Sequence, residues 1–217
     1  MTDPKTIDRK KIKIVAFDCD GVMFETREAN IAYYNRILSN LGRPDMTPEQ
    51  SAHAHMHTVG EALSHLFPDP EEREAANDFR KELGYLPFLK YIRIEPYLKT
   101  LLKKLRPKFK TAVVTNRTDT MAHILELHGL EDLFDMVVTA LDAPRPKPHP
   151  DPLLKMLGHF KARPDQAVYI GDSKVDEEAA GASHIPLVAY ANPSLDAARH
   201  IESLKEMEGI VLGLAQK

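Results

Sequence analysis

An apolar segment that ends in two closely spaced acids constrains the fold of this chain more than any other feature. Residues 11–22 read Lys-Ile-Lys-Ile-Val-Ala-Phe-Asp-Cys-Asp-Gly-Val, so a strand-like run stops at Asp18 and Asp20, and Gly21 follows as a turn residue. Two carboxylates held this close raise the electrostatic energy unless a cation or a shared proton lies between them. The pair indicates a metal site or acid–base chemistry, although acids beside a glycine also cap helices or solvate turns.

The part of the chain that follows this strand is predicted to be helical. Apolar residues recur at helical spacing in three segments: 28–41, 47–67 and 69–83. Residues from about 25 to 95 therefore form a helical block that interrupts any sheet begun by the first strand.

After Pro96 the pattern changes to alternating strands and helices. Strand-like runs cover residues 110–115, 136–139, 167–170 and 186–190. Helices are predicted between them, the last over residues 195–207. This alternation predicts an α/β fold, a doubly wound parallel sheet covered on both faces that binds ligands at the carboxyl ends of its strands. We predict a core domain from residues 1–24 and 97–217, with an inserted all-helical cap domain over residues 25–96.

Composition excludes several classes of protein. The 217 residues carry a formal net charge of -3, and the basic residues are scattered, which argues against nucleic acid as the main partner. The single cysteine, Cys19, excludes an internal disulfide framework and fits a reducing compartment. The N-terminal apolar run is too short for a secretory signal or a bilayer span, so we expect a cytoplasmic protein with no membrane partner.

Two later segments bring side chains suited to anions. Thr115 and Asn116 end the second core strand and offer a hydroxyl and an amide beside a helix start, which suits phosphate oxygens but also fits an ordinary helix cap. Lys147 lies between alternating prolines over residues 144–152. A stiffly mounted lysine could neutralise an anion, and it also fits a polyproline segment or solvated surface.

A second acid pair follows the strand over residues 167–170. Gly171 breaks that strand, and Asp172 and Asp176 are spaced to lie on one face of the following helix start. Alone, the pair fits a metal site or a capping acid beside an exposed one. Because all four segments fall at the ends of predicted parallel strands, their combination is far more specific than any one of them.

In this order the four segments resemble the haloacid dehalogenase superfamily. The motifs are Asp18-Cys-Asp-Gly-Val22, Thr115-Asn116, Lys147-Pro148 and Gly171-Asp-Ser-Lys-Val-Asp176. The resemblance covers nearly the whole chain and is closest to the phosphoglycolate-phosphatase-like branch, which inserts a helical cap between the first two motifs. It implies a hydrolase: a magnesium-dependent phosphatase that acts on a small-molecule phosphate ester through an aspartyl-phosphate.

The resemblance also implies the catalytic roles of the first motif. Asp18 would be the nucleophile that attacks phosphorus. Asp20 would protonate the leaving oxygen and then deprotonate the water that hydrolyses the intermediate. We therefore expect neighbouring negative charge to raise the pKa of Asp20.

A magnesium site and a phosphate-binding group follow from the same resemblance. Mg²⁺ is expected at Asp18, the main-chain carbonyl of Asp20, and Asp172. The side chains expected to hold the transferring oxygens are those of Thr115, Asn116 and Lys147. Asp176 would orient Lys147 or a metal-bound water.

The cap is expected to select the substrate. Arg27 and Arg117 are candidate substrate contacts. His53, His55 and His57 have the letters of a metal cluster, but no acid or cysteine stands close by, so we expect a solvated or substrate-facing segment.

Two alternatives remain open. A phosphomutase of the β-phosphoglucomutase type also carries Asp-Gly-Val in its first motif. A non-enzymatic phospho-acceptor signalling module also gathers acids, threonine and lysine at strand ends, but it has no helical cap and places its acceptor aspartate after the acidic pair.

Overall fold

The structure, a computed structural model, describes residues 6–214. Residues 1–5 and 215–217, the outer ends of the predicted core domain, lie outside the described residues. Within the described part the strands are β1 (Ile14–Phe17), β2 (Phe24–Glu25), β3 (Arg93–Ile94), β4 (Lys110–Val114), β5 (Met136–Val138), β6 (Ala167–Gly171), β7 (Leu187–Tyr190) and β8 (Arg199–Ile201). The α-helices are α1 (Arg27–Asn40), α2 (Pro48–Met56), α3 (Val59–Leu66), α4 (Pro70–Leu83), α5 (Leu98–Leu105), α6 (Met121–Leu127), α7 (Asp151–Phe160) and α8 (Lys174–Ser183).

A six-stranded parallel sheet forms the centre of the molecule, in the order β5-β4-β1-β6-β7-β8. Phe17 of β1 is in register with Val113 of β4 and Ile170 of β6. The chain therefore leaves these three strands at the same level. Since ligands of such sheets bind beyond the carboxyl ends of the strands, this edge is where a site is expected.

The two faces of the sheet are covered by separate apolar clusters. Val15 and Phe17 of β1 belong to the cluster that includes α5 and α6, whereas Ile14 and Ala16 belong to the one that includes α7 and α8. Alternate residues of a strand point to opposite faces, so β1 is buried on both sides. The predicted doubly wound α/β sheet is confirmed.

Helices α1 to α4 pack around an apolar cluster of their own. Its members include Tyr33, Ile37, Leu63 and Phe67. The chain enters and leaves this helical layer through β2 and β3, which pair antiparallel in a short ribbon that the sequence analysis did not predict. The exact domain boundaries remain a prediction. Among residues 6–214, no helix is long and apolar enough to cross a bilayer.

The predicted helix over residues 47–67 is two helices, because Thr58 starts a new one. The Thr58 hydroxyl accepts a hydrogen bond from the Glu61 N–H, and the Glu61 carboxylate accepts one from the Thr58 N–H. This reciprocal cap begins α3 and separates it from α2.

The predicted helix over residues 195–207 is wrong. Arg199–Ile201 forms β8, the edge strand beside β7, and a short 3₁₀ turn at Leu204–Glu206 follows. The buried apolar residues recur at every third position, which are Leu195, Ala198, Ile201, Leu204 and Met207. That spacing resembles a helix, but the unpaired edge of β7 supplies main-chain hydrogen bonds, so tertiary pairing overrides the local pattern.

Candidate active site

The carboxyl ends of the three central strands meet at one pocket. β1 runs into Asp18 and Asp20, β4 into Thr115, and β6 into Asp172. Lys147 reaches the same pocket from the loop before α7, and all five side chains line it. The structure thus brings together residues that are far apart in the sequence.

Gly21 makes room for Asp172. Its φ is +83°, in the left-handed region, and a Cβ at this position would lie 1.9 Å from Asp172 Oδ2. A side chain here would therefore be strained and would displace the carboxylate. The glycine after the first acid pair is thus required by the packing of the second.

The ammonium of Lys147 is surrounded by three acceptors. Its Nζ donates to Asp18 Oδ1 at 2.7 Å, to Asp176 Oδ1 at 2.6 Å and to the Tyr169 hydroxyl at 2.8 Å. An ammonium has three N–H bonds, so its hydrogen-bonding capacity is fully used. Burial alone would lower the pKa of Lys147, but Asp176 and Asp18 raise it above its usual value, so the lysine stays charged.

Asn116 holds the main chain of Lys147. Its Nδ2 donates to the Lys147 carbonyl at 2.9 Å, and its Oδ1 accepts from the Lys147 N–H at 3.0 Å. Both ends of the amide side chain are engaged, so Asn116 positions the lysine loop. The Thr115 hydroxyl accepts from the Arg117 N–H at 3.1 Å and still lines the pocket.

Asp176 is fixed by the start of α8. Ser173 and Asp176 form the reciprocal cap of this helix, and the Ser173 hydroxyl donates to Asp176 Oδ2 at 2.6 Å. Although burial would raise the pKa of Asp176, its bonds from Lys147, Ser173 and Tyr169 hold it below its usual value. Asp176 is therefore an ionised partner of Lys147.

A group of acids at this point could hold a cation. Asp18, Asp172 and Asp176 each offer a carboxylate oxygen, and these oxygens lie within 4.8 Å of one another. Burial, together with Asp176 and Asp20 and against the effect of Lys147, raises the pKa of Asp18 to about 7. Burial and the charges of Asp176 and Asp18 also raise the pKa of Asp172. Ionised Asp18 and Asp172 would be stabilised by an added positive charge.

Asp20 differs from its neighbours, and the expected direction of its pKa shift is wrong. Burial would raise the pKa of Asp20, but Arg117 Nη2, which donates to Asp20 Oδ1 at 2.7 Å, and the Thr26 hydroxyl lower it below its usual value. The neighbouring negative charge is outweighed by a buried guanidinium. Asp20 is therefore ionised in this state of the protein.

Arg117 joins the sheet edge to the helical layer. Its guanidinium carbon lies 5.0 Å from the centroid of the Tyr85 ring, and its Nη1 donates to Thr120 at 2.9 Å. The Tyr85 hydroxyl donates to Asn30 Oδ1 at 2.6 Å. The Nε of Arg117 is buried without a partner among the described residues, so one donor of this side chain is left unsatisfied.

The helical layer closes the pocket, which encloses about 240 Å³. Its basic lining includes His55, Arg80 and Lys81. Arg27, the first residue of α1, is exposed and does not line the pocket, so the structure gives no contact that supports its predicted role in substrate binding.

His53 and His57 do not form a metal-binding pair in the described residues. Their rings stack with centroids 3.9 Å apart, and His65 stacks on His53 at 4.1 Å. Parallel stacked rings direct their nitrogens sideways, so three imidazoles cannot converge on one ion. His55 lines the pocket, and its Nδ1 lies 3.3 Å from the Nδ2 of Asn30.

Several residues of the site were missed by sequence reasoning. Tyr169, a polar tip in an otherwise apolar strand, carried a usable signal, because a buried phenol needs a hydrogen-bond partner. Tyr85 and Asn30 carried none, since their contacts depend on how the helical layer folds over the sheet.

A buried lysine held between carboxylates thus lies at the carboxyl ends of the parallel strands. The sequence model of the haloacid dehalogenase-like hydrolase family matches residues 15–190. The chain therefore belongs to the haloacid dehalogenase-like hydrolase family, as its four motifs predicted.

Three similar proteins come from bacteria. A pyrophosphatase PpaX of Bacillus pumilus is 29% identical over 173 residues, covering 78% of this chain and 79% of the relative. A phosphoglycolate phosphatase of Aquifex aeolicus is 28% identical over 170 residues, covering 77% and 79%. A crystal structure of a subfamily IA hydrolase of the family from Geobacter sulfurreducens is 38% identical, with a TM-score of 0.77 over 93% of this chain and 97% of that one.

These comparisons confirm the predicted family, the fold and the prediction of an enzyme that hydrolyses phosphate esters. The roles predicted for individual residues are not tested by them. The comparisons likewise do not identify the particular substrate, the metal or the reaction intermediate.

Proposed function

We propose that the protein is a magnesium-dependent phosphatase that hydrolyses a small phosphate monoester through a phosphorylated Asp18. The observation that carries this proposal is the arrangement around Lys147, which holds a buried ammonium against Asp18 and Asp176 in the wall of the pocket. A fixed cation beside a carboxylate favours the approach of an anionic phosphoryl group.

The donor set fits Mg²⁺. Asp18 and Asp172 offer carboxylate oxygens within 4.8 Å of each other, and oxygen ligands are those that Mg²⁺ prefers. Among residues 6–214 no group donates a hydrogen bond to the Asp172 side chain, whereas both oxygens of Asp176 already accept bonds from Lys147 and Ser173. We therefore propose that Asp18 and Asp172 would hold the ion, together with the Asp20 carbonyl that the family resemblance implies. When bound, it would offset the repulsion between Asp18 and the phosphate.

In the first step an Asp18 carboxylate oxygen attacks phosphorus, the new O–P bond forms, and the bond from phosphorus to the ester oxygen breaks. The leaving oxygen takes a proton from Asp20. In the second step Asp20 takes a proton from a water molecule, and the oxygen of that water attacks phosphorus. The bond between the Asp18 carboxylate oxygen and phosphorus then breaks, which releases inorganic phosphate. Thr115 and Lys147 hold the transferring oxygens in both steps.

Arg117 sets a condition on the first step. Its bond to Asp20 favours the ionised carboxylate, which is the form needed in the second step. We propose that an anionic substrate competes with Asp20 for the guanidinium and draws it away. Asp20 can then carry the proton that the leaving group requires.

The pocket suits a small leaving group that carries a second negative charge. It encloses about 240 Å³, and Arg80, Lys81 and Arg117 line it. The relatives are named as a pyrophosphatase and a phosphoglycolate phosphatase, and both of these names refer to small anionic substrates. We propose that this chain also acts on a small anionic substrate.

The test is a panel of phosphate esters assayed for inorganic phosphate, with Mg²⁺ present or chelated. We expect release that requires the ion and falls at least about a thousandfold in Asp18→Asn. Asp132→Asn, an exposed aspartate outside the pocket, is the matched control and should retain activity. Asp18→Asn turning over at the wild-type rate would contradict the proposal.

The same assay separates the alternatives. A phosphomutase retains its phosphate and would form a sugar bisphosphate, so rapid release of inorganic phosphate without a bisphosphate excludes it. A signalling module would accumulate a stable phosphoprotein from acetyl phosphate and show no turnover.

A further inference from the structure

Tyr169 places a hydroxyl group within one of the two apolar clusters that cover the sheet. It lies on β6, paired in register with Ala16 of β1, and its side chain is fully buried. Its neighbours Val168 and Ile170 are apolar and pack in the opposite cluster. A buried hydroxyl destabilises a core unless it is hydrogen-bonded, so the partners of this phenol determine its role.

The hydroxyl of Tyr169 contacts three separate segments of the site. It lies 2.8 Å from Lys147 Nζ, 2.8 Å from Asp176 Oδ1 and 2.9 Å from the Val114 carbonyl, which directly precedes Thr115. Its oxygen accepts from the ammonium, and its single proton is donated to Asp176 or to Val114. The phenol therefore links the lysine to both the second and the fourth motif.

Tyr169 is the neutral member of the three acceptors around Lys147. The other two are the carboxylates of Asp18 and Asp176. Asp18 must turn toward phosphorus during the proposed reaction, so its bond to the ammonium changes. A third carboxylate in place of the phenol would add negative charge where an anionic substrate binds, whereas a hydroxyl orients the ammonium without that repulsion.

We propose that Tyr169 is a positioning residue that acts through Lys147, keeping its Nζ aimed at the phosphoryl group while Asp18 reacts. This inference rests on the proposed phosphatase function. It assigns a role to a side chain outside the four motifs, on the strand that carries the last of them.

The test is Tyr169→Phe, which keeps the ring and removes only the hydroxyl. The charge of Lys147 stays, so the attraction for substrate is retained and KM should change by no more than about threefold. The aim of the ammonium is lost, so kcat should fall about ten- to a hundredfold, the range for a hydrogen bond to a charged group. Phosphate release with Mg²⁺ measures both constants.

Tyr190→Phe is the matched control, since Tyr190 lies on the neighbouring strand β7 and outside the pocket. It should retain both constants. If Tyr169→Phe fails to fold, 3-fluorotyrosine at position 169 keeps the hydroxyl but weakens its oxygen as an acceptor, and kcat should fall with KM retained.

Three results would overturn the inference: an unchanged kcat in Tyr169→Phe, an equal loss in Tyr190→Phe, or a loss that merely follows the folded fraction in urea unfolding. The wild-type enzyme distinguishes this failure from that of the proposed function. Wild-type activity with an equally active Tyr169→Phe removes only the role of Tyr169, whereas wild-type protein that releases no phosphate from any ester removes both.

Discussion

The sheet edge and the helical layer supply the two halves of one pocket, but they hold their polar groups differently. At the sheet edge, the ammonium of Lys147 has three buried acceptors within 2.8 Å. In the helical layer, Arg80 and Lys81 bond to side chains of their own helix, Asn77 and Asp78. These local bonds are at least partly exposed and can be exchanged for a ligand at small cost.

This contrast separates the chemistry from the choice of substrate. Transition-state stabilisation requires a cation held in a fixed orientation, which the buried acceptors around Lys147 provide. Recognition of different leaving groups requires side chains that can change partners. We infer that the sheet edge fixes the reaction and that the helical layer selects what reacts.

Removing the central cation of the sheet edge should have the largest effect. Lys147→Met leaves the buried carboxylates of Asp18 and Asp176 without their lysine, so kcat/KM should fall at least about a hundredfold. The free energy of unfolding should fall by about 3 kcal/mol. Lys81→Met in the helical layer is the control, and it should change stability by less than about 0.5 kcal/mol. Equal effects in urea unfolding and in the assay would erase the contrast between the two regions.

A pair of glycine substitutions sharpens the comparison. Gly21→Ala would push a Cβ into Asp172 Oδ2, at 1.9 Å, so the apparent affinity for Mg²⁺ should weaken about ten- to a hundredfold. Gly60→Ala, on α3, meets no atom within 4 Å and should stabilise the protein by about 0.5 to 1 kcal/mol. Titration of activity with Mg²⁺ and thermal unfolding measure the two. A Gly21→Ala variant with wild-type ion dependence would show that Asp172 does not hold the ion.

Arg117 spans both regions, so its loss should have an intermediate effect. Arg117→Met removes the main group that lowers the pKa of Asp20. Asp20 stays buried, and burial raises its pKa, so the pKa of Asp20 should rise. Titration of ¹³C-labelled aspartate carboxyls, with Asp20 identified through Asp20→Asn, would record the shift. kcat/KM should fall about tenfold for an ester with an anionic leaving group and less for a neutral one. An unchanged titration would contradict the ion pair.

The smallest effect is expected in the helical layer at low pH. Burial and the charges of His57 and His65 lower the pKa of His53, against a weaker opposing effect of Glu61. The folded state then binds fewer protons than the unfolded one, so stability is lost as the pH falls below about 6.5.

Urea unfolding above and below that pH tests this expectation. His53→Phe should lose less stability on acidification than the wild type, because one of the three stacked rings can no longer be charged. His123→Phe, an exposed histidine on α6, should behave as the wild type does. Parallel acid sensitivity in all three proteins would exclude the stack as its cause.

The sequence predicted the residues of the sheet edge and the helices of the helical layer, but it did not predict the side-chain contacts that this layer makes, for a physical reason. Asp18, Thr115 and Asp172 each follow an apolar strand, and parallel strands bring their carboxyl ends together wherever the intervening helices lie. The contact of Tyr85 with Asn30 joins residues 55 positions apart on elements whose packing no motif encodes. The lowered pKa of Asp20 was missed for the same reason, since it depends on where the Arg117 side chain folds back.

The edge strand β8 shows a second limit. Its segment buries every third residue, and such a pattern fits a helix until the partner strand β7 is known. Local periodicity cannot reveal an available sheet edge, because that edge is a property of the assembled fold.

Rapid acid quench with a ³²P-labelled ester tests the central claim most directly. During turnover the account predicts a labelled protein whose phosphate is released by hydroxylamine and maps to the peptide that contains Asp18. Turnover without labelled protein, or a label on a peptide that lacks Asp18, would contradict it.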